Sequence, residues 1–156
     1  MKYQRLYDLN IQDFGNLNNV QIGGLTIYAE ARGESDQGRI GVGTVILERV
    51  DHREWDGKTV QEVCLWPFQF SCYLPGDPNR IVLSDIAKHW DLEIKKNKTL
   101  IQCVNIFDGL MNGKIERYPK GAIQYLNPKS VKTIPDWVSK MKFLATIKNH
   151  DFYSEA

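Results

Sequence analysis

The sequence predicts one predominantly helical α+β domain with little strand, on three observations. Apolar residues recur at helical spacing over several stretches, capping residues stand at the head of most of them, and an extended run is suggested near the C-terminus. The length of 156 residues fits one domain and can bury a single sizeable core without disulfide staples.

Taken in order, residues 1–23 read as an irregular leader, because Gly15, Asn16, Asn18 and Asn19 interrupt any periodicity, and the domain proper spans 24–156. Leu25 to Arg32 reads as a helix. Ser35-Asp36 supplies capping chemistry for a second helix through Val50, with Ile40, Val45, Ile46 and Val50 turned inward. Gly41 and Gly43 cost that helix propensity, which points to close packing against a neighbour. Thr59-Val60-Gln61-Glu62 matches a capping box opening a short helix that Pro67 must end, leaving Gln69, Phe70 and Ser71 just outside it. Leu74 to Asn79 is a loop by its turn residues, and Ser84 to Trp90 is helical. After a polar break at Lys95 to Lys98, Thr99 to Gln102 resembles another capping box. Leu100, Val104, Phe107 and Met111 then form one stripe that Gly113 terminates. Pro135 fits the first turn of a last helix through about Met141, and Phe143 to Ile147 reads as extended.

Composition narrows the class. With 42% hydrophobic and 25% charged residues and no apolar run long enough to span a bilayer, an integral membrane protein is not expected. Met1 to Asp8 is too polar for a secretory signal, so the chain is expected to stay in the cytoplasm after synthesis. Cys64, Cys72 and Cys103 are odd in number and lack metal-ligand spacing, which reads as reduced, partly buried thiols. His52, His89 and His150 are too scattered to form a metal motif, so neither metal nor cofactor is expected. Net charge is +1 but uneven: −4 over residues 1–78, +1 over 79–112 and +4 over 113–156. The basic C-terminal part can attract an anionic polymer, while the near-neutral total argues against a nucleic-acid partner.

The residue that points to chemistry is Glu30, in Tyr28-Ala29-Glu30-Ala31-Arg32-Gly33-Glu34, an acid among small and apolar neighbours where a helix ends. Burial disfavours the ionised form, so such a carboxyl holds its proton near neutrality and can deliver it to a leaving group. This segment, with Gly38 and Gly41 to Leu47 after it, resembles the SleB-type cell wall hydrolases, a family of spore-cortex-lytic and phage enzymes. Three further blocks follow in order: Gln69-Phe70-Ser71, Gly121 to Pro128, and Ile147-Lys148-Asn149-His150-Asp151-Phe152-Tyr153. Together they cover roughly residues 24 to 153, and ordered weak matches multiply in specificity. The sequence departs from the family's usual residues at three places: Gln124 stands for His, Lys148 for Gly, and Glu48 for the Asn before Arg49.

The resemblance implies a lysozyme-like fold and cleavage of peptidoglycan glycan strands between N-acetylmuramic acid and N-acetylglucosamine. Glu30 is then the proton donor. A hydrolase needs a second carboxylate, for which Glu34 is nearest, sharing the face of Glu30 only if the helix runs on through Gly33. A lytic transglycosylase needs one carboxyl, and Glu34 is then free to cap a helix or pair with Arg32 or Arg39. Substrate contacts are expected from Gln69, Phe70, Ser71, Tyr73, Gln124, Tyr125 and Asn127, with Phe70 and Tyr73 offering flat faces to sugar rings. His150 is a candidate for orienting a loop or titrating near neutrality. The expected setting is a monomeric phage endolysin made in the host cytoplasm. The alternative is a catalytically silent wall-binding or virion structural protein of the same fold.

Overall fold

The computed structural model describes residues 2–52 and 57–156. Helices α1 (Lys2–Phe14), α2 (Asn19–Ala31), α3 (Asp36–His52), α4 (Val60–Leu65), α5 (Pro78–Lys88), α6 (Trp90–Lys96) and α7 (Lys98–Met111) precede a small sheet. Its strands are β1 (Gln124–Leu126), β2 (Lys142–Ile147) and β3 (His150–Ser154), antiparallel in the order β1-β3-β2. The predominantly helical architecture with little strand is therefore as the sequence predicts.

The leader, read as irregular over residues 1–23, is the first correction: its described residues, 2–23, form α1, a short turn and the opening of α2. Helix α1 turns Tyr7, Asn10, Ile11 and Phe14 inward, with Phe14 fully buried in the main core. The stripe is masked in sequence because its centre is polar. Asn10 donates to the Leu65 carbonyl at 2.6 Å and accepts from the Arg80 guanidinium at 2.5 Å, partners 55 and 70 residues away. Asn18, read as a breaker, is the N-cap of α2 and makes a reciprocal capping box with Gln21.

Helix α2 is the axis of the domain, and glycines let its neighbours approach. A methyl group at Gly24 would stand 2.7 Å from the Cα of Val104 on α7, and one at Gly23 would enter the Phe107 ring. The same logic bears out the reading of Gly41 and Gly43, where a Cβ would meet Phe152 and Leu110, each at 2.5 Å. Gly24→Ala should therefore cost about 2–3 kcal/mol by overpacking, lowering Tm by about 5–10 °C in thermal denaturation.

Capping chemistry sets most other boundaries. Ser35 Oγ accepts from Gly38 N at the start of α3, Thr59 accepts from Glu62 N, and Asp77 caps α5 at Asn79 N. Helix α5 starts at Pro78, earlier than the predicted Ser84, and α7 starts at Lys98 because Asn97, not Thr99, accepts from Leu100 N. Leu100 and Phe107 are buried as the stripe predicts, but Met111 at the helix end is 42% exposed. The segment after Pro135 closes as a 3-10 turn, Asp136–Lys140. All three cysteines are free and buried, which pushes Cys64 up to about 12 and Cys103 to about 11.

The β2–β3 hairpin turns on Lys148-Asn149, with Lys148 at φ +50°. This is the position at which the resemblance implies glycine, and the left-handed backbone explains the preference. Lys148→Gly should relieve about 1 kcal/mol of strain, visible as a small rise in the denaturant midpoint.

Candidate active site

Glu30 occupies the last turn of α2, where the helix ends against the sheet. Tyr125 of β1 donates its hydroxyl to Glu30 Oε1 at 2.5 Å. Glu30 is partly buried, and its carboxyl is held above the ordinary carboxylate range. Desolvation is the principal cause, and the negative charge of Asp77 adds to it. The Tyr125 hydrogen bond, His150 and Arg49 act in the opposite direction. Burial and the neighbouring Glu30 push Tyr125 well above the usual phenol value, so it remains a donor. The pair joins a carboxyl raised above its usual range to a hydroxyl that donates to it.

Arg49 assembles the surroundings. It sits on α3, only 4% exposed, with its guanidinium over the Phe70 ring at 5.0 Å. Nε donates to the Ile123 carbonyl at 2.9 Å, one terminal nitrogen to the Gln69 carbonyl at 3.3 Å and the other to Gln124 Oε1 at 3.2 Å. One side chain thus ties the Gln69-Phe70 segment and β1 to α3. Sequence reasoning passed over Arg49; its signal was an arginine inside the apolar run of α3, which burial tolerates only when its donors are matched.

Glu48, the neighbouring departure from the family, is also buried. It accepts from Gly121 N at 2.8 Å and from Arg117 at 3.1 Å, fastening the loop that leads into β1. That loop includes the cis bond Tyr118-Pro119.

The other expected site residues divide. Gln124 and Tyr125 are at the site, the first on Arg49 and the second on Glu30. Gln69 is half-buried beside Arg49, and Ser71 is exposed at the start of the 3-10 turn Ser71–Tyr73. Phe70 and Tyr73 correct the expectation of sugar-stacking faces: they are 3% and 2% exposed and belong to the core. The Tyr73 hydroxyl is bonded to Thr26 at 2.7 Å and its ring packs edge-on to Phe14. Asn127 folds its side-chain oxygen onto Lys129 N, forming its own turn.

Glu34 is a further correction. Helix α2 stops at Ala31, with Glu34 N bonded to the Ala31 carbonyl, so Glu34 does not continue the face of Glu30. It pairs with neither arginine: Arg32 reaches Asn79, Arg39 reaches the Ala31 and Arg32 carbonyls and Gln102, and Glu34 lies 3.3 Å from His150.

Open concavities of about 650 Å³, lined in part by Tyr28, Arg80, Ser84 and Asn97, and about 710 Å³, lined in part by Leu110, Tyr118 and Leu144, lie elsewhere and do not contain Glu30. The candidate site is therefore defined by the carboxyl and its partners, not by concavity size.

A helical domain that places a carboxyl raised above its usual range at a helix end, with a tyrosine of a small sheet donating to it, has an arrangement suited to proton donation. The chain belongs to the cell wall hydrolase family, whose sequence model matches residues 33–153. Glu30 precedes that span by three residues, so its assignment stands on the geometry. In fold the chain resembles the catalytic domain of the germination-specific lytic transglycosylase SleB from Bacillus anthracis, at 23% identity and a TM-score of 0.59, covering 87% of this chain and 93% of that one. The catalytic domain of the Bacillus cereus SleB protein is similar at 23% identity and a TM-score of 0.57, covering 87% and 89%. No curated protein matches the chain in sequence.

Proposed function

We propose that this cell wall hydrolase family member cleaves peptidoglycan glycan strands between N-acetylmuramic acid and N-acetylglucosamine, with Glu30 as general acid. The observation that carries the reading is the Glu30 carboxyl, raised above its ordinary range chiefly by desolvation, with the Tyr125 hydroxyl donating to it. Proton delivery to the glycosidic oxygen by such a group supplies about 10²–10⁴-fold in rate.

The route we assign is lytic transglycosylation. Glu30 protonates the bridging oxygen as the bond to C1 of muramic acid breaks. Its carboxylate then takes the proton of the sugar's own 6-hydroxyl as that oxygen attacks C1, closing a 1,6-anhydro ring. The acid is regenerated and no water is consumed. Two findings support this over hydrolysis: Glu34 is drawn to His150 rather than set on the face of Glu30, and the B. anthracis neighbour is described as a lytic transglycosylase. Gln69 and Ser71 are assigned to sugar contact. The setting we propose, on the resemblance to phage enzymes, is an endolysin made in the host cytoplasm.

Mass spectrometry of purified peptidoglycan after digestion decides the route. Anhydro-muramic ends are expected; reducing ends would establish hydrolysis instead, and intact strands would remove the enzymatic reading.

A further inference from the structure

Two buried polar atoms beside the acid are left without a hydrogen bond: Glu34 Oε1 and His150 Nδ1. They stand 3.3 Å apart, on side chains 15% and 13% exposed. The separation suits an ion pair when the imidazole is protonated, while the alignment falls short of a hydrogen bond. Burying two such groups costs free energy, so their placement requires a reason.

That reason lies in what His150 touches. Phe152 is the register partner of Tyr125 across β1 and β3, and His150, two residues earlier on β3, lies on the same face as Phe152. The imidazole meets the Tyr125 ring edge-on, with centroids 5.3 Å apart and planes at 90°. Tyr125 in turn holds Glu30. A closed circuit results, running from Glu34 after α2, through His150 and Tyr125 of the sheet, back to Glu30 on α2.

Building on the reading of Glu30 as the acid, we propose that Glu34 and His150 are positioning residues, a buried pair that clamps the Tyr125 ring so that its hydroxyl meets the Glu30 carboxyl. Neither exchanges a proton with the sugar. The charged and titratable groups that bear on Glu30 are Asp77 from the cap of α5, Arg49 from α3, Tyr125 from β1 and His150 from β3. Those against His150 are Glu34, Glu30 and Tyr125, with Phe152 alongside.

The test uses the intact chain on soluble glycan strands. His150→Gln is expected to lower kcat about tenfold with KM unchanged within about twofold, since positioning is realised in the transition state. It should also move the alkaline limb of the pH–rate profile upward, because the imidazole no longer opposes proton retention by Glu30. In a Tyr125→Phe background the same substitution should cost less than about twofold in kcat, and Glu34→Gln/His150→Gln should be no slower than the slower single variant. A loss in Glu34→Gln as deep as in Glu30→Gln would make Glu34 a second catalytic acid and overturn the clamp. So would undiminished loss in the Tyr125→Phe background. Should His150→Gln not fold, Glu34→Gln alone and combined with Tyr125→Phe decides the matter by the same criteria. Full activity in Glu30→Gln sinks the acid itself, whereas inactive Glu30→Gln with multiplicative losses at 34 and 150 sinks the clamp alone.

Discussion

Glu30→Gln is expected to abolish strand cleavage, lowering kcat by about 10²–10⁴-fold while the fold persists. Glutamine keeps the size of the side chain and an oxygen for the Tyr125 hydroxyl, but has no proton to give at the strength of a carboxylic acid. The wild-type rate should fall as pH rises through the raised value of Glu30, since the ionised form cannot protonate a leaving group. Stability should respond in the same sense as activity. A carboxyl held above its unfolded value contributes fully below that unfolded value, and the contribution is lost as pH rises through the folded one. Glu30→Gln removes this loss, so its Tm should gain on that of the wild type across that window. Turbidity clearance of purified walls and thermal melts at stepped pH measure both. An active variant, or one whose Tm deficit grows with pH, contradicts the assignment.

Arg49→Met should be the most damaging change outside the acid. Its guanidinium satisfies the Ile123 and Gln69 carbonyls and Gln124 together while lying on Phe70, and methionine preserves only the apolar stem. Leaving buried acceptors unmatched costs about 3 kcal/mol, or roughly 6–12 °C in Tm for a domain of this size. Activity should fall as well, because the β1 segment carrying Tyr125 loses its tie to α3. Arg49→Lys should rescue little, since one ammonium cannot span three acceptors set around a planar fork. A midpoint within about 1 kcal/mol of the wild type in chemical denaturation would show that the network is not what holds the site together.

The helical framework was readable where local signals suffice. Ser35 and Thr59 act as caps, Pro67 and Gly113 follow their helices, Gly41 and Gly43 mark close packing, and Phe143 to Ile147 is extended. The reading failed where the partner of a side chain is distant. Helix α1 was hidden because its inward stripe includes Asn10, whose bonds run to Leu65 and Arg80. Phe70 and Tyr73 looked like sugar platforms because nothing local distinguishes an exposed aromatic from one covered by Arg49 or Phe14.

From its residues alone this chain declared a single helical domain and an acid at a helix end, because capping, periodicity and the apolar company of Glu30 are local properties. What the tertiary structure alone decided is the electrostatic environment and orientation of that carboxyl. Desolvation of Glu30, the Tyr125 hydroxyl 95 positions away, the Arg49 ties and the capture of Glu34 by His150 are all long-range. Buried electrostatics depends on which charges and dipoles the fold brings within a few ångströms, and sequence separation carries no record of that distance.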